Sequence, residues 1–136
     1  MLRDNAYKYF IECDNNCAET TLRCIRDAYG LDISEDDIKL VSGFGAGCGC
    51  GALCGVVAGC LAAYGKMTVN GRAHATDGFG PSCGEFFHKF EEELGSTVCE
   101  DLKKKYRNDE VRCLKTVELG LDCFEKFAEE KGLKKA

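Results

Sequence analysis

Between Lys39 and Lys66 the chain carries no charged side chain, and this run is rich in glycine. A stretch of that length can span a bilayer. Its first half, Gly43 to Gly49, is only weakly apolar, however, and only Cys50 to Tyr64 reads as a continuous helix, which is short for a span. The expectation is therefore a buried central helix and no membrane role. Gly51, Gly55 and Gly59 recur every fourth residue along it, with Ala58, Ala62 and Ala63 nearby. Each glycine inside a helix costs about 1 kcal/mol relative to alanine. The usual compensation is close approach of another backbone or of a ligand.

The flanking segments carry helical periodicity and helix-start signals. Asn16 with Glu19 forms an Asn-started capping box, and Ala18, Leu22, Ile25 and Tyr29 follow on one face up to Gly30. Ser34 is placed to cap a short helix over 35–41. Residues 66–80 read as a polar loop or small hairpin with turns at Asn70-Gly71 and Asp77-Gly78. Ser82 with Glu85, Thr97 with Glu100, and Asn108 are the expected starts of three further helices. The last carries the stripe Val111, Leu114, Val117, Leu121, Phe124 and Ala128. No run alternates as a strand does. The expectation is one all-α domain over residues 1–136, an irregular bundle of four to six helices around the Gly-rich central one.

Eleven of the 136 residues are cysteine, an odd number. The start, Met1-Leu2-Arg3-Asp4-Asn5, shows no secretory pattern. A reducing, cytoplasmic compartment is therefore expected, where dense cysteine points to metal or redox chemistry rather than a disulfide framework. The caps place Cys17 at a first helical position, Cys50 at the opening of the central helix, Cys99 in a first turn and Cys113 in a second turn. Free N–H groups and the dipole favour a thiolate at such positions. Cys48 and Cys54 flank the central motif, while Cys13 and Cys24 lie near Cys17. Cys60, Cys83 and Cys123 fall on apolar stripes and read as small buried hydrophobes.

Several chemistries lack their signatures. There is no C-x-x-C, which counts against a thioredoxin-type centre, a zinc ribbon and a ferredoxin run, and no C-x-x-C-H for covalent c-type haem. The alternating glycines from Gly43 to Gly51 never complete G-x-G-x-x-G. They suit either an anion-binding nest, as iron–sulfur centres use, or a tight packed turn. The histidines, His74 and His88, read as surface residues. The net charge of −5 makes nucleic acid a poor partner. Lys103, Lys104, Lys105 and Arg107 sit among acidic neighbours and read as a solvated helix face.

Asn16-Cys17-Ala18-Glu19, Gly43-Phe44-Gly45-Ala46-Gly47, Cys50-Gly51-Ala52-Leu53-Cys54-Gly55, Leu94 through Leu102 with its Cys99, and then Cys113 occur in that order. The ordered set resembles the C_GCAxxG_C_C family of redox-active proteins over roughly residues 5–125. The resemblance implies that Cys17, Cys50, Cys99 and Cys113 are the functional cysteines. It also implies kinship with the cluster-bearing part of split-Soret cytochromes, hence iron–sulfur binding and dimerisation, without the haem. Cys48 and Cys54 are additions to the pattern, able to replace one of the four or to form a second site.

The leading expectation is an iron–sulfur electron carrier or redox module, rather than a stand-alone enzyme, whose acidic surface steers a basic protein partner. Three other readings stand beside it. One is a metal-free thiol–disulfide protein cycling Cys50 with Cys54 or Cys17 with Cys24. Another is a structural zinc site of four cysteines. The last is a helical interaction domain with inert cysteines.

Overall fold

The computed structural model describes residues 1–136, folded as six α-helices with short irregular helical turns and no strands. Leu2–Asn5 and Lys8–Glu12 form an uneven N-terminal helical segment. It is followed by α1 (Cys17–Tyr29), α2 (Glu35–Ile38), α3 (Gly55–Thr68), α4 (Phe79–Leu94), α5 (Cys99–Tyr106) and α6 (Leu114–Glu130). The fold is all-α, as the periodicity indicates. No helix is long and apolar enough to cross a membrane.

Local chemistry fixes the first two starts. The Asn16 Oδ1 accepts from the Glu19 N–H at 2.9 Å, and the Glu19 carboxylate accepts from the Asn16 N–H at 2.9 Å. Helix α1 stops at Gly30, whose φ of 63° is left-handed. The Ser34 hydroxyl caps α2 by accepting from the Asp37 N–H. The chain then tightens into a 3-10 turn, Lys39–Phe44, rather than continuing as α-helix to Val41.

Three later boundaries differ from the sequence reading. Helix α4 begins at Phe79 rather than after Ser82, so Pro81 lies in its first turn, where a missing N–H costs nothing. The polar connection before it is correspondingly shorter and holds a 3-10 turn, Ala73–Ala75, not a hairpin. The Asn108 Oδ1 accepts from the Glu110 and Val111 N–H groups and closes a separate turn, so α6 starts only at Leu114.

The central helix starts at Gly55, not at Cys50. Two of its glycines, Gly55 at its start and Gly59 inside it, face α1. A Cβ on Gly59 would lie 3.0 Å from the Ala18 carbonyl oxygen, and one on Gly55 would lie 2.5 Å from Cys17 Sγ. The glycines therefore let α1 and α3 touch backbone to backbone. Behind this pair, Phe86, Phe90, Phe124 and Phe127 are fully buried and interlock α4 with α6. Edge-on ring contacts join them to one another and to Tyr64 of α3, with centroids 5.6 Å apart for Phe86–Phe124 and 5.2 Å for Tyr64–Phe127. Cys60 and Cys123 are buried in the same core, as small hydrophobes are; Cys83 is half-buried at its edge.

Gly120 and Gly84 make opposite predictions. A Cβ on Gly120 would collide with Val56 and Phe90, whereas one on Gly84 meets nothing within 4 Å. Alanine gains about 1 kcal/mol of helix propensity at either site. Overpacking costs about 1–3 kcal/mol and outweighs that gain only at Gly120. Gly84→Ala is expected to raise the denaturant midpoint and Gly120→Ala to lower it, measured by circular dichroism.

Candidate functional site

Four cysteines from four helices line one small cleft: Cys17, Cys54, Cys99 and Cys113. Each stands at a helix N-terminus. Cys17 and Cys99 are the first residues of α1 and α5, and Cys54 and Cys113 occupy the N-cap positions of α3 and α6. Neither N-cap cysteine makes a side-chain capping bond.

Short backbone pairings set these positions. Leu53 and Val98 form an isolated antiparallel bridge. Around it the Cys54 N–H donates to the Thr97 carbonyl at 2.8 Å, and the Cys99 N–H donates to the Ala52 carbonyl at 2.6 Å. The starts of α3 and α5 are thereby held side by side. Cys17 joins them because its sulfur lies over the bare Gly55. Gly47 packs equally tightly, since a Cβ there would lie 2.5 Å from Cys99 Cβ and from the Ala52 nitrogen. The cap residue Asn16 also donates through Nδ2 to the Ser42 carbonyl at 2.9 Å, tying the glycine loop to α1.

The sequence-derived set is thus divided. Cys17, Cys99 and Cys113 come together. Cys50 does not line the cleft: it is exposed on the glycine loop, its thiol donating to the Gly47 carbonyl at 3.6 Å. Cys54 lines the cleft in addition to those three. The physical reason is the late start of α3. An unwound turn over residues 47–51 carries Cys50 outward and leaves Cys54 as the cap. Cys13 and Cys48 are exposed, and Cys24 is buried in the core away from the cleft.

The inner cleft holds about 20 Å³, room for one water molecule, with Val56, Leu102, Lys103 and Thr116 completing its wall. A wider outer cleft of about 170 Å³ shares Cys17, Cys99, Cys113 and Lys103 and opens past Phe10, Asn15, Arg107 and Arg112. Lys103 and Arg107, which read as a solvated face, therefore stand at the mouth. The missed signal is spacing: Lys103 is four residues after Cys99, one turn away on the same helix face. Arg112 is fixed by donating to the Phe10 carbonyl at 2.8 Å and by pairing with Asp14 at 3.2 Å.

Burial overrides the helix ends. Desolvation pushes the Cys17 thiol up, with the Ala46 N–H pulling back and Cys113 and Cys99 adding to the rise. It pushes Cys54 up to about 12, helped by Cys17 and opposed by the Val56 and Val57 N–H groups. Cys99 and Cys113 are also raised by burial, against an opposing pull from Lys103. The four are neutral thiols near pH 7 as they stand. A thiolate needs a compensating cation.

The lining is chemically soft: four sulfurs, with no imidazole or carboxylate among them. No three His, Cys, Asp or Glu side chains are gathered closely enough to hold a single metal ion.

A helical scaffold that brings four buried or half-buried thiols to one cleft under a rim of cations is that of a cysteine-based redox protein. Residues 15–127 match the family model described as "Putative redox-active protein (C_GCAxxG_C_C)", and the chain belongs to that redox-active family. No curated protein and no solved structure matches the chain.

The buried thiols carry a pH signature. Cys24, Cys54 and Cys123 are each pushed from 9.0 up to about 12, chiefly by burial. The unfolded chain ionises near pH 9 while the fold keeps these groups protonated. Their contribution is intact below pH 9 and is lost as pH rises toward 12. Reduced protein is expected to lose thermal stability steadily from pH 9 upward. Cys24→Ala should flatten that slope in a melting series.

Proposed function

We propose that the protein is an iron–sulfur electron carrier whose cluster is held by Cys17, Cys54, Cys99 and Cys113. One observation carries this reading: four thiols from four separate helix starts line one cleft, in a chain of a redox-active family. A redox role favours the cluster over structural zinc, which has no redox chemistry of its own.

The soft donors suit such a group, but the inner cleft of about 20 Å³ would have to open toward the outer one, which Cys17, Cys99 and Cys113 also line, to admit it. Four helix starts direct free N–H groups at this region. Lys103, Arg107 and Arg112 supply cationic charge at the outer cleft. Together they offset the negative charge that a set of thiolates and an added electron would bring. When bound, the cluster would supply one-electron redox chemistry. The chain's own part is to hold the sulfurs, exclude bulk water from Cys54 and Cys99, and tune the charge. Loading must displace thiol protons, because burial keeps the free thiols neutral.

The rim also revises the partner. The chain as a whole is acidic, but electrons would leave through the outer cleft, where Lys103, Arg107 and Arg112 stand. A redox partner presenting carboxylates at that mouth suits this surface.

Anaerobic reconstitution with iron and sulfide is expected to give a brown protein with broad visible absorbance. Cys54→Ser should lose most of the iron, whereas Cys50→Ser should keep it. Colourless protein that takes up zinc alone would overturn the cluster. Iron lost from Cys50→Ser but kept by Cys54→Ser would return the fourth ligand to the loop. Lys103→Ala is expected to lower the midpoint potential of the loaded protein, because a positive charge that favours the reduced state is gone.

A further inference from the structure

The glycine loop beside the cleft carries two exposed thiols, Cys48 and Cys50, separated only by Gly49. Its backbone is unusual. Ala46, Gly47, Cys48 and Gly49 have φ of 53°, 62°, 61° and 75°, so four consecutive residues turn left-handed. For the non-glycine members, Ala46 and Cys48, that conformation is disfavoured by about 1–2 kcal/mol each. The surroundings hold it in place. The Gly47 carbonyl accepts from the Ala52 N–H at 2.9 Å and from the Cys50 thiol at 3.6 Å, and Gly47 itself is wedged against Cys99. Strain maintained in this way is characteristic of functional segments.

The consequence is a compact dithiol at the surface. An extended chain would set residues 48 and 50 roughly 6.6 Å apart. That is near the upper limit for a disulfide, about 6.8 Å between Cα atoms. The helical-type dihedrals at Gly49, φ 75° and ψ 2°, curl the chain and shorten that span. Gly49 has no neighbour within 4 Å of a would-be Cβ, so the crown of the turn is open to an approaching molecule. The two thiols also differ: Cys50 is engaged with the Gly47 carbonyl, and Cys48 makes no such bond. The pairings suggested by helical spacing do not share these features. Cys17 and Cys24 are two turns apart on α1, about 10.5 Å along the axis, beyond disulfide reach. Cys54 is buried, and Cys50 is exposed.

We propose that Cys48-Gly49-Cys50 is a dithiol–disulfide exchange site that takes small-molecule disulfides. The Cys48 sulfur gives up its proton and attacks one sulfur of R–S–S–R. A Cys48–SR bond forms, the R–S–S–R bond breaks, and the leaving thiolate takes up a proton as RSH. The Cys50 sulfur then loses its proton and attacks the Cys48 sulfur. The Cys48–Cys50 bond forms and a second RSH departs. The two thiols are oxidised to one disulfide, and the substrate disulfide is reduced by two electrons to two thiols. A small strained ring is readily reduced, so the exchange runs back when thiol is in excess. This site does not depend on what the buried cysteines hold.

The test uses the reduced full-length protein with excess oxidised glutathione, followed by alkylation. Cleavage after Phe44 and Leu53 releases Gly45–Leu53, whose only cysteines are Cys48 and Cys50. The expected product is that peptide, unalkylated and lighter by two hydrogens, and Cys48→Ser with Cys50→Ser together should release two fewer glutathiones per chain than the wild type. Cys50→Ser is expected to stop at a stable mixed disulfide on Cys48. A wild-type peptide alkylated at both positions, or carrying two glutathionyl groups, would overturn the proposal. So would a disulfide joining two chains through this peptide. Cys48→Ser is expected to abolish the disulfide while leaving iron uptake by the reconstituted protein unchanged.

Discussion

The close approach of α1 and α3 governs everything built on this fold. Gly55 and Gly59 lack the one atom that would push the helices apart, with 2.5 Å and 3.0 Å left for it. A side chain at either position would displace α1 bodily, and Cys17 with it. Because Gly55 is the first residue of α3, the contact delivers the Cys17 sulfur to the point where Cys54 caps that helix. The helix-propensity cost of glycine in α3 is thus exchanged for the placement of a thiol.

A second short pairing does for α5 what the glycines do for α1. The Leu53–Val98 bridge aligns the starts of α3 and α5, so that Cys54 and Cys99 face the same space. Cys113 arrives differently. Arg112 adopts a left-handed φ of 52° and anchors its guanidinium over the Phe10 ring, and the reversal there brings in the start of α6. Three unrelated local devices thereby converge on one cleft.

How much of this was legible in the sequence follows from the range of each interaction. The starts of α1 and α2 were readable because Asn16, Glu19, Ser34 and Asp37 satisfy N–H groups within three residues. The glycine spacing announced a close contact, since glycine inside a helix needs a reason. The start of α5 was legible to within one residue, the cap being Val98 rather than Thr97; the start of α3 was not, because Cys54 makes no side-chain cap and its position comes from a bridge between segments far apart in sequence. That long-range pairing is why Cys54 lines the cleft while Cys50 stands outside it. The cationic rim was half legible. Lys103 repeats the Cys99 face one turn on, but Arg112 depends on a tertiary contact with Phe10.

Two physical effects compete at these sulfurs, and their outcome separates the eleven cysteines into kinds. Helix N-termini favour a thiolate by roughly 0.3–1 kcal/mol each at exposed sites. Burial in apolar surroundings opposes ionisation by several times as much. Inside the cleft burial wins, and Cys54 is pushed up to about 12. A buried thiol of that kind is a poor nucleophile but a good latent ligand, because a metal supplies the charge that the protein withholds. On the glycine loop Cys48 and Cys50 are open to solvent and within reach of an approaching molecule. The same sequence motif therefore carries two kinds of sulfur a few residues apart, and what divides them is the unwound turn that precedes α3.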